Sequence, residues 1–189
     1  MNVLLGVISH SAAWVMPRAF VERIRRDFPH HAFLEAWDID AVRRLLPEAD
    51  AAFTPYVDRD LFPSLSRLRW IQAPAAGVGS LLFPEMVASA VTLTSARGIR
   101  ARAMAEHVLG MSIALARQFH VALRHQVKHE WVQDRLERGG ASAIRTLDGA
   151  RMGIVGLGAI GTEVARVAVP FGLRVSAVRR HVRGPAPAG

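Results

Sequence analysis

The sequence contains no cysteine and only one lysine, Lys128. Without thiols these residues can form no disulfide, no thiolate metal site and no cysteine nucleophile. Long apolar runs are missing too. The best candidate, Met104 to Ala116, carries Glu106 and His107 and falls short of the roughly 20 apolar residues that cross a bilayer. The first residues enter a strand-like pattern directly, with no basic leader, apolar core and cleavage site, so a cytoplasmic location is expected. No H-E-x-x-H or comparable carboxylate–histidine spacing is present, and no metal is expected.

What is present is a globular composition. Hydrophobic residues make up 51% of 189 positions and charges are scattered, which fits one or two domains with a real core. The formal charge of +8 invites a nucleic-acid reading. However, the basic residues are spread along the whole chain rather than gathered into a stripe, so no nucleic-acid partner is expected.

The most informative segment is Met152-Gly153-Ile154-Val155-Gly156-Leu157-Gly158-Ala159-Ile160-Gly161. A short apolar run reads as a buried strand, three glycines follow at G-x-G-x-x-G spacing, and helical periodicity begins at once. This is the dinucleotide fingerprint in its strand–turn–helix context. Gly156 permits the tight turn, Gly158 lets backbone approach a pyrophosphate, and Gly161 lets helix and strand pack closely. The first helical residues, Ala159 and Ile160 with Gly161, offer unpaired amides and a positive dipole end to phosphate.

Before that segment, strands alternate with short helices. Asn2 to Ile8 is a strand-length run ending in Ser9-His10. Pro17 sits in a first helical turn, with Phe20, Ile24 and Phe28 at helical spacing. Ala32 to Ala36 is a second strand, and Asp40 caps a short helix through Leu46. Ala51 to Thr54, Arg69 to Gln72 and Val91 to Thr94 are further strands, with a helical turn or two over Asp60 to Leu68. The alternation predicts a doubly wound α/β domain with a parallel sheet.

After Arg97 the pattern changes, which places a domain boundary there. Met104, Val108, Met111 and Leu115 mark the apolar face of a long helix. A charged helical segment spans about His120 to Arg138, where His120, His125 and His129 form an exposed face, and it ends at Gly139-Gly140. Thr146 to Gly149 is a turn into the fingerprint strand. Ile160, Val164, Val167 and Phe171 give the fingerprint helix its buried stripe, Gly172 ends it, and Arg174 to Val178 is the next strand. The tail Gly184 to Gly189 is too rich in proline, glycine and alanine for regular structure.

Three blocks in order resemble the D-isomer-specific 2-hydroxyacid dehydrogenase family. They are Leu68 to Gln72 leading to Ala76-Gly77-Val78, Val91 to Ile99 with Met104 to Gly110, and Asp148 to Gly161 continuing through Phe171 to Val175. The resemblance implies a flavodoxin-like substrate domain over 1–96, followed by the start of a Rossmann dinucleotide-binding domain over 97–189. It implies hydride transfer between a nicotinamide and a 2-oxo or 2-hydroxy acid. It also implies that the Ala76 and Gly77 amides hold the substrate carboxylate, as two N–H groups at a glycine-containing turn can, and that the protein forms a homodimer. Members often carry an acidic residue where this chain has Gly79, so Ser80 is expected to take over the helix cap. The family's catalytic arginine, glutamate and histidine lie downstream of the fingerprint. No catalytic residue is therefore expected among these 189 residues, which read as an N-terminal portion. The alternative is a non-catalytic binding or dimerisation module derived from such an enzyme.

Cofactor choice follows from charge. The residue closing the second strand, about 20 positions beyond the glycines, faces the adenine ribose. Here Arg179-Arg180 follow Val178, and guanidinium groups attract a 2′-phosphate where a carboxylate would repel it. NADP is expected in preference to NAD. Glu106 and His107 are no acid–base pair, because adjacent helical side chains point about 100° apart.

Overall fold

The computed structural model describes residues 1–6, 8, 15–138, 140 and 143–180. They belong to two compact units, Met1–Arg97 and Gly98–Gly189.

The first unit runs β1 (Asn2–Leu5), α1 (Arg18–Asp27), β2 (Ala32–Glu35), α2 (Ile39–Leu45), β3 (Ala51–Phe53), β4 (Trp70–Ala73), α3 (Pro84–Val87) and β5 (Thr92–Ser95). Its five strands are all parallel in the order β2-β1-β3-β4-β5. That is the flavodoxin-like order. The apolar runs end up inside: Leu4, Val42, Leu46 and Ile71 are fully buried. Among the described residues Thr54 is the buried polar one, and its hydroxyl donates to the Tyr56 carbonyl at 3.0 Å.

Two local expectations need correction in this unit. On α1, Phe20 and Phe28 are more than half exposed and Val21 is the buried residue, so the helix turns a different face to the core. The cap of α2 is Asp38, whose carboxylate accepts from the Ala41 amide at 2.6 Å. Asp40 lies inside the first turn. The helical turn expected between Asp60 and Leu68 is a 3-10 turn, Phe62–Ser64. Ser9 and His10 fall outside the described residues.

The second unit runs α4 (Ala101–Ala116), α5 (Phe119–Gln126), α6 (Gln133–Arg138), β6 (Arg151–Val155), α7 (Ala159–Ala168) and β7 (Arg174–Val178). Strands β6 and β7 are parallel, paired from Arg151↔Arg174 to Val155↔Val178, with α7 as the crossover. The turn before β6 is as expected: the Ala150 amide donates to Leu147 at 3.0 Å and Gly149 to Gly172 at 2.9 Å.

Helix faces again depart from the periodic reading. On α4 the buried residues are Ala105 and Leu109, whereas Met104, Met111 and Leu115 are 41%, 49% and 57% exposed. On α7 they are Gly161, Val164 and Ala168, with Ile160 and Phe171 nearly half exposed. The reason is close packing of α4 against α7: small residues let the two backbones approach, and the bulky stripe is left outside. The segment from His120 to Arg138 is not one helix. Gln118 and His129 adopt left-handed backbone angles, φ 53° and 56°, which delimit α5 and separate it from α6. Gly139 and the tail from Gly184 to Gly189 lie outside the described residues.

Candidate cofactor-binding site

The site is built at the carboxyl end of β6. Gly156 takes φ +98°, a conformation that side-chain-bearing residues rarely adopt. Its amide donates to the Val178 carbonyl at 2.8 Å, which ties the turn to the end of β7. Gly158 is extended and occupies the cap position of α7 without any side-chain cap. Its carbonyl accepts from the Thr162 amide at 2.9 Å. The amides of Ala159, Ile160 and Gly161 find no backbone partner among the described residues, as the first turn of a helix dictates. No acidic residue occupies that turn. The result is a concave set of N–H donors at a positive dipole end, suited to a phosphate anion.

Gly161 is enforced by packing. A Cβ there would collide with the Gly156 carbonyl oxygen and press on Ile154 Cγ2 at 3.1 Å. Helix α4 flanks the same end. Gly98 abuts Ala159, and Arg102 reaches Glu163 at 3.4 Å, so the two helices begin side by side. Glu163 also pairs with Arg166 at 2.7 Å. The Arg166 hydrogen bond, with help from Arg102, lowers its carboxyl to about 2. Glu106 is held by Arg102 at 2.6 Å and does not face His107. The intrahelical pairs were visible as i,i+4 and i,i+3 spacings. The Arg102–Glu163 link between helices was not.

Arg179 and Arg180 leave the end of β7 directly after Val178, next to the Gly156 turn. Arg179 is half-buried and Arg180 is exposed. In the first unit, Ala76 and Gly77 form an exposed loop after β4, held by the Ala96 amide donating to the Ala75 carbonyl at 3.1 Å. Neither the Ala76 nor the Gly77 amide has a partner among the described residues. Ser80 does not cap the next element: Val78 holds the cap position of the 3-10 turn Gly79–Leu81, with no side-chain bond. His125 departs from the expected exposed histidine face, since its ring is largely covered, with Glu130 and Arg135 as partners. Among the described residues no three His, Asp or Glu side chains gather as a metal site, and no helix is long and apolar enough to cross a membrane.

Residues 109–187 match the family model described as D-isomer specific 2-hydroxyacid dehydrogenase, NAD binding domain. A D-isomer-specific 2-hydroxyacid dehydrogenase family protein from Aeromonas salmonicida superposes with a TM-score of 0.77 at 27% identity, covering 98% of this chain and 55% of that one. The chain belongs to the D-isomer-specific 2-hydroxyacid dehydrogenase family. It is also similar to a glyoxylate reductase of Aeropyrum pernix, 30% identical over 179 residues, covering 84% of this chain and 52% of the relative. A D-3-phosphoglycerate dehydrogenase of Mycobacterium bovis is 29% identical over 148 residues, or 77% of this chain and 27% of the relative. The chain thus spans about half the length, or less, of these curated relatives. Membership in this family makes the second unit an NAD-binding domain of the 2-hydroxyacid dehydrogenase type.

Proposed function

We propose that this chain is the N-terminal part of a cytoplasmic, NADP-preferring oxidoreductase acting on a small 2-oxo or 2-hydroxy acid. The carrying observation is the Gly156–Gly161 turn, where the Ala159, Ile160 and Gly161 amides have no backbone partner among the described residues and Gly161 has no room for a Cβ. A cradle of that shape and polarity fits a dinucleotide pyrophosphate. Gly156, Gly158, Ala159, Ile160 and Gly161 would line it with backbone rather than side chain.

When bound, the nicotinamide supplies or accepts the hydride at the substrate carbon. The protein's share is placement. The Ala76 and Gly77 amides would donate to the substrate carboxylate as a backbone nest, a role supported by their exposure and by the absence of other partners among the described residues. Arg179 and Arg180 would meet the 2′-phosphate, giving NADP the advantage over NAD. Proton transfer is assigned to an arginine, glutamate and histidine outside residues 1–189, so these residues alone would bind without completing turnover. Calorimetric titration of the chain with NADP⁺ and NAD⁺ tests this reading. Tighter binding of NADP⁺ is expected, and equal affinity would overturn the preference.

The exposed stripe of α4 and α5 supports homodimerisation through residues 97–146. Met111, Leu115, Phe119 and Leu123 are each about half exposed or more, and apolar surface of that kind is stable when covered by a symmetry-related copy.

A further inference from the structure

We propose that His125 is a pH-operated latch that, in its neutral form, closes α6 onto α5. The ring has 17% of its side-chain surface exposed. Its Nδ1 lies 2.5 Å from Glu130 Oε2, and its Nε2 lies 3.2 Å from Arg135 Nη1. A guanidinium can only donate. Nε2 is therefore the acceptor, the proton sits on Nδ1, and the carboxylate of Glu130 accepts it. This orders one neutral tautomer between an anion and a cation.

The latch matters because few contacts hold α6: apart from it, the Leu136 carbonyl accepts from the Ile144 amide at 2.9 Å. That helix buries no residue. Its other polar pairs, Gln133 with Glu137 and Asp134 with Arg138, are internal to it. The intervening turn is tied to α5 instead: the Lys128 and Glu130 amides both donate to the His125 carbonyl at 3.0 Å, with left-handed His129 between them. Among the described residues, Arg135 to His125 is the side-chain hydrogen bond that joins α6 to α5. Between the helices lies an open cavity of about 760 Å³, lined by Ala122, Val132, Leu136 and Ile144. Its far wall is α6, so the cavity exists only while α6 is docked.

Protonation of the ring adds an N–H at Nε2, opposite the Arg135 N–H groups. Donor then faces donor and cation faces cation, while Nδ1–H keeps its bond to Glu130. The contact that fails is the one to α6. The side chains of the other ionisable residues of this region, Arg124 on α5 and Lys128 and His129 in the turn, make no hydrogen bond or ion pair among the described residues, and Glu137 on α6 is held by Gln133.

The natural absence of cysteine permits a direct test. Arg124→Cys and Arg138→Cys carry nitroxides on α5 and α6, and doubly labelled chain is diluted with unlabelled chain to remove contributions between copies. Pulsed electron spin resonance reads the distance at about pH 8 and about pH 5.5. Ring nitrogen NMR reads the tautomer. The expected result is Nδ1–H and one narrow distance at the higher pH, with a longer, broader distribution appearing as His125 protonates. Arg135→Ala should give the broad distribution at both values. His125→Gln, whose amide oxygen accepts without titrating, should remain narrow at both. A wild-type distribution that ignores pH, a proton found on Nε2, or a pH response that persists in His125→Gln would each overturn the proposal.

Discussion

Gly161 faces the carbonyl oxygen of Gly156 so closely that a single added methyl group would overlap it and crowd Ile154 Cγ2 at 3.1 Å. Helix α7 therefore sits against the turn it follows with no space to spare. The position of its first amides, and any anion they hold, depends on that approach.

Gly161→Ala should consequently shift α7 away from β6. Overpacking of this kind costs about 1–3 kcal/mol, and the displaced amides should lose most dinucleotide affinity. Thermal unfolding and NADP⁺ titration measured together check both effects. A variant with unchanged melting and unchanged affinity would show that the close approach is not maintained in solution.

Glu163 gives a pH signature. Its folded-state carboxyl titrates at about 2, below its ordinary 4.5, chiefly through Arg166. A lowered folded pKa stabilises the native state above the ordinary value, and that contribution fades as pH falls from 4.5 towards 2. Glu163→Gln should be less stable than wild type at neutral pH, with the difference closing across that acidic window. Denaturant unfolding of both proteins at a series of pH values measures it. A gap independent of pH would mean that the pair with Arg166 does not form.

Cofactor preference should move with Arg179 and Arg180. Replacing them by Asp and Ala should weaken NADP⁺ binding by one to two decades, since hydrogen bonds involving charged groups contribute about 1.5–3 kcal/mol. NAD⁺ affinity should hold or improve. Unaltered discrimination between the two dinucleotides would reject the assignment.

The apolar stripe on α4 and α5 should make the chain a dimer. Light scattering over a concentration series should report twice the chain mass, and Leu115→Asp with Leu123→Asp should return it to one. A well-folded wild-type monomer at high concentration would refute the pairing.

Residues 1–189 should not turn over 2-oxo acids. Without a placed proton donor, general acid catalysis worth about 10²–10⁴-fold is lost, and without fixed geometry a larger positional factor goes with it. NADPH or NADH consumption with glyoxylate, hydroxypyruvate and phenylpyruvate is the assay. Sustained enzyme-like rates would show that the catalytic groups lie within these residues.

The glycine spacing at Gly156, Gly158 and Gly161, the strand–helix alternation and the order of the three family blocks are local properties. Short-range sterics and hydrogen bonding decide them, so the presence and order of β6, α7 and β7 could be read from the amino-acid order, although β6, expected as a buried strand, buries none of its residues. What the sequence left open was which side of each helix would be covered. Met104, Met111 and Leu115 have the periodicity of a core face, yet Ala105 and Leu109 took it, because α4 meets α7 through small side chains that permit close backbone approach. At α1, likewise, Val21 is buried and Phe20 and Phe28 are left exposed. The Arg102–Glu163 bridge and the His125–Arg135 contact join residues on separate elements. Periodicity reports that a helix has an apolar side. Only the tertiary structure decides which neighbour that side meets and which charges the meeting brings within reach.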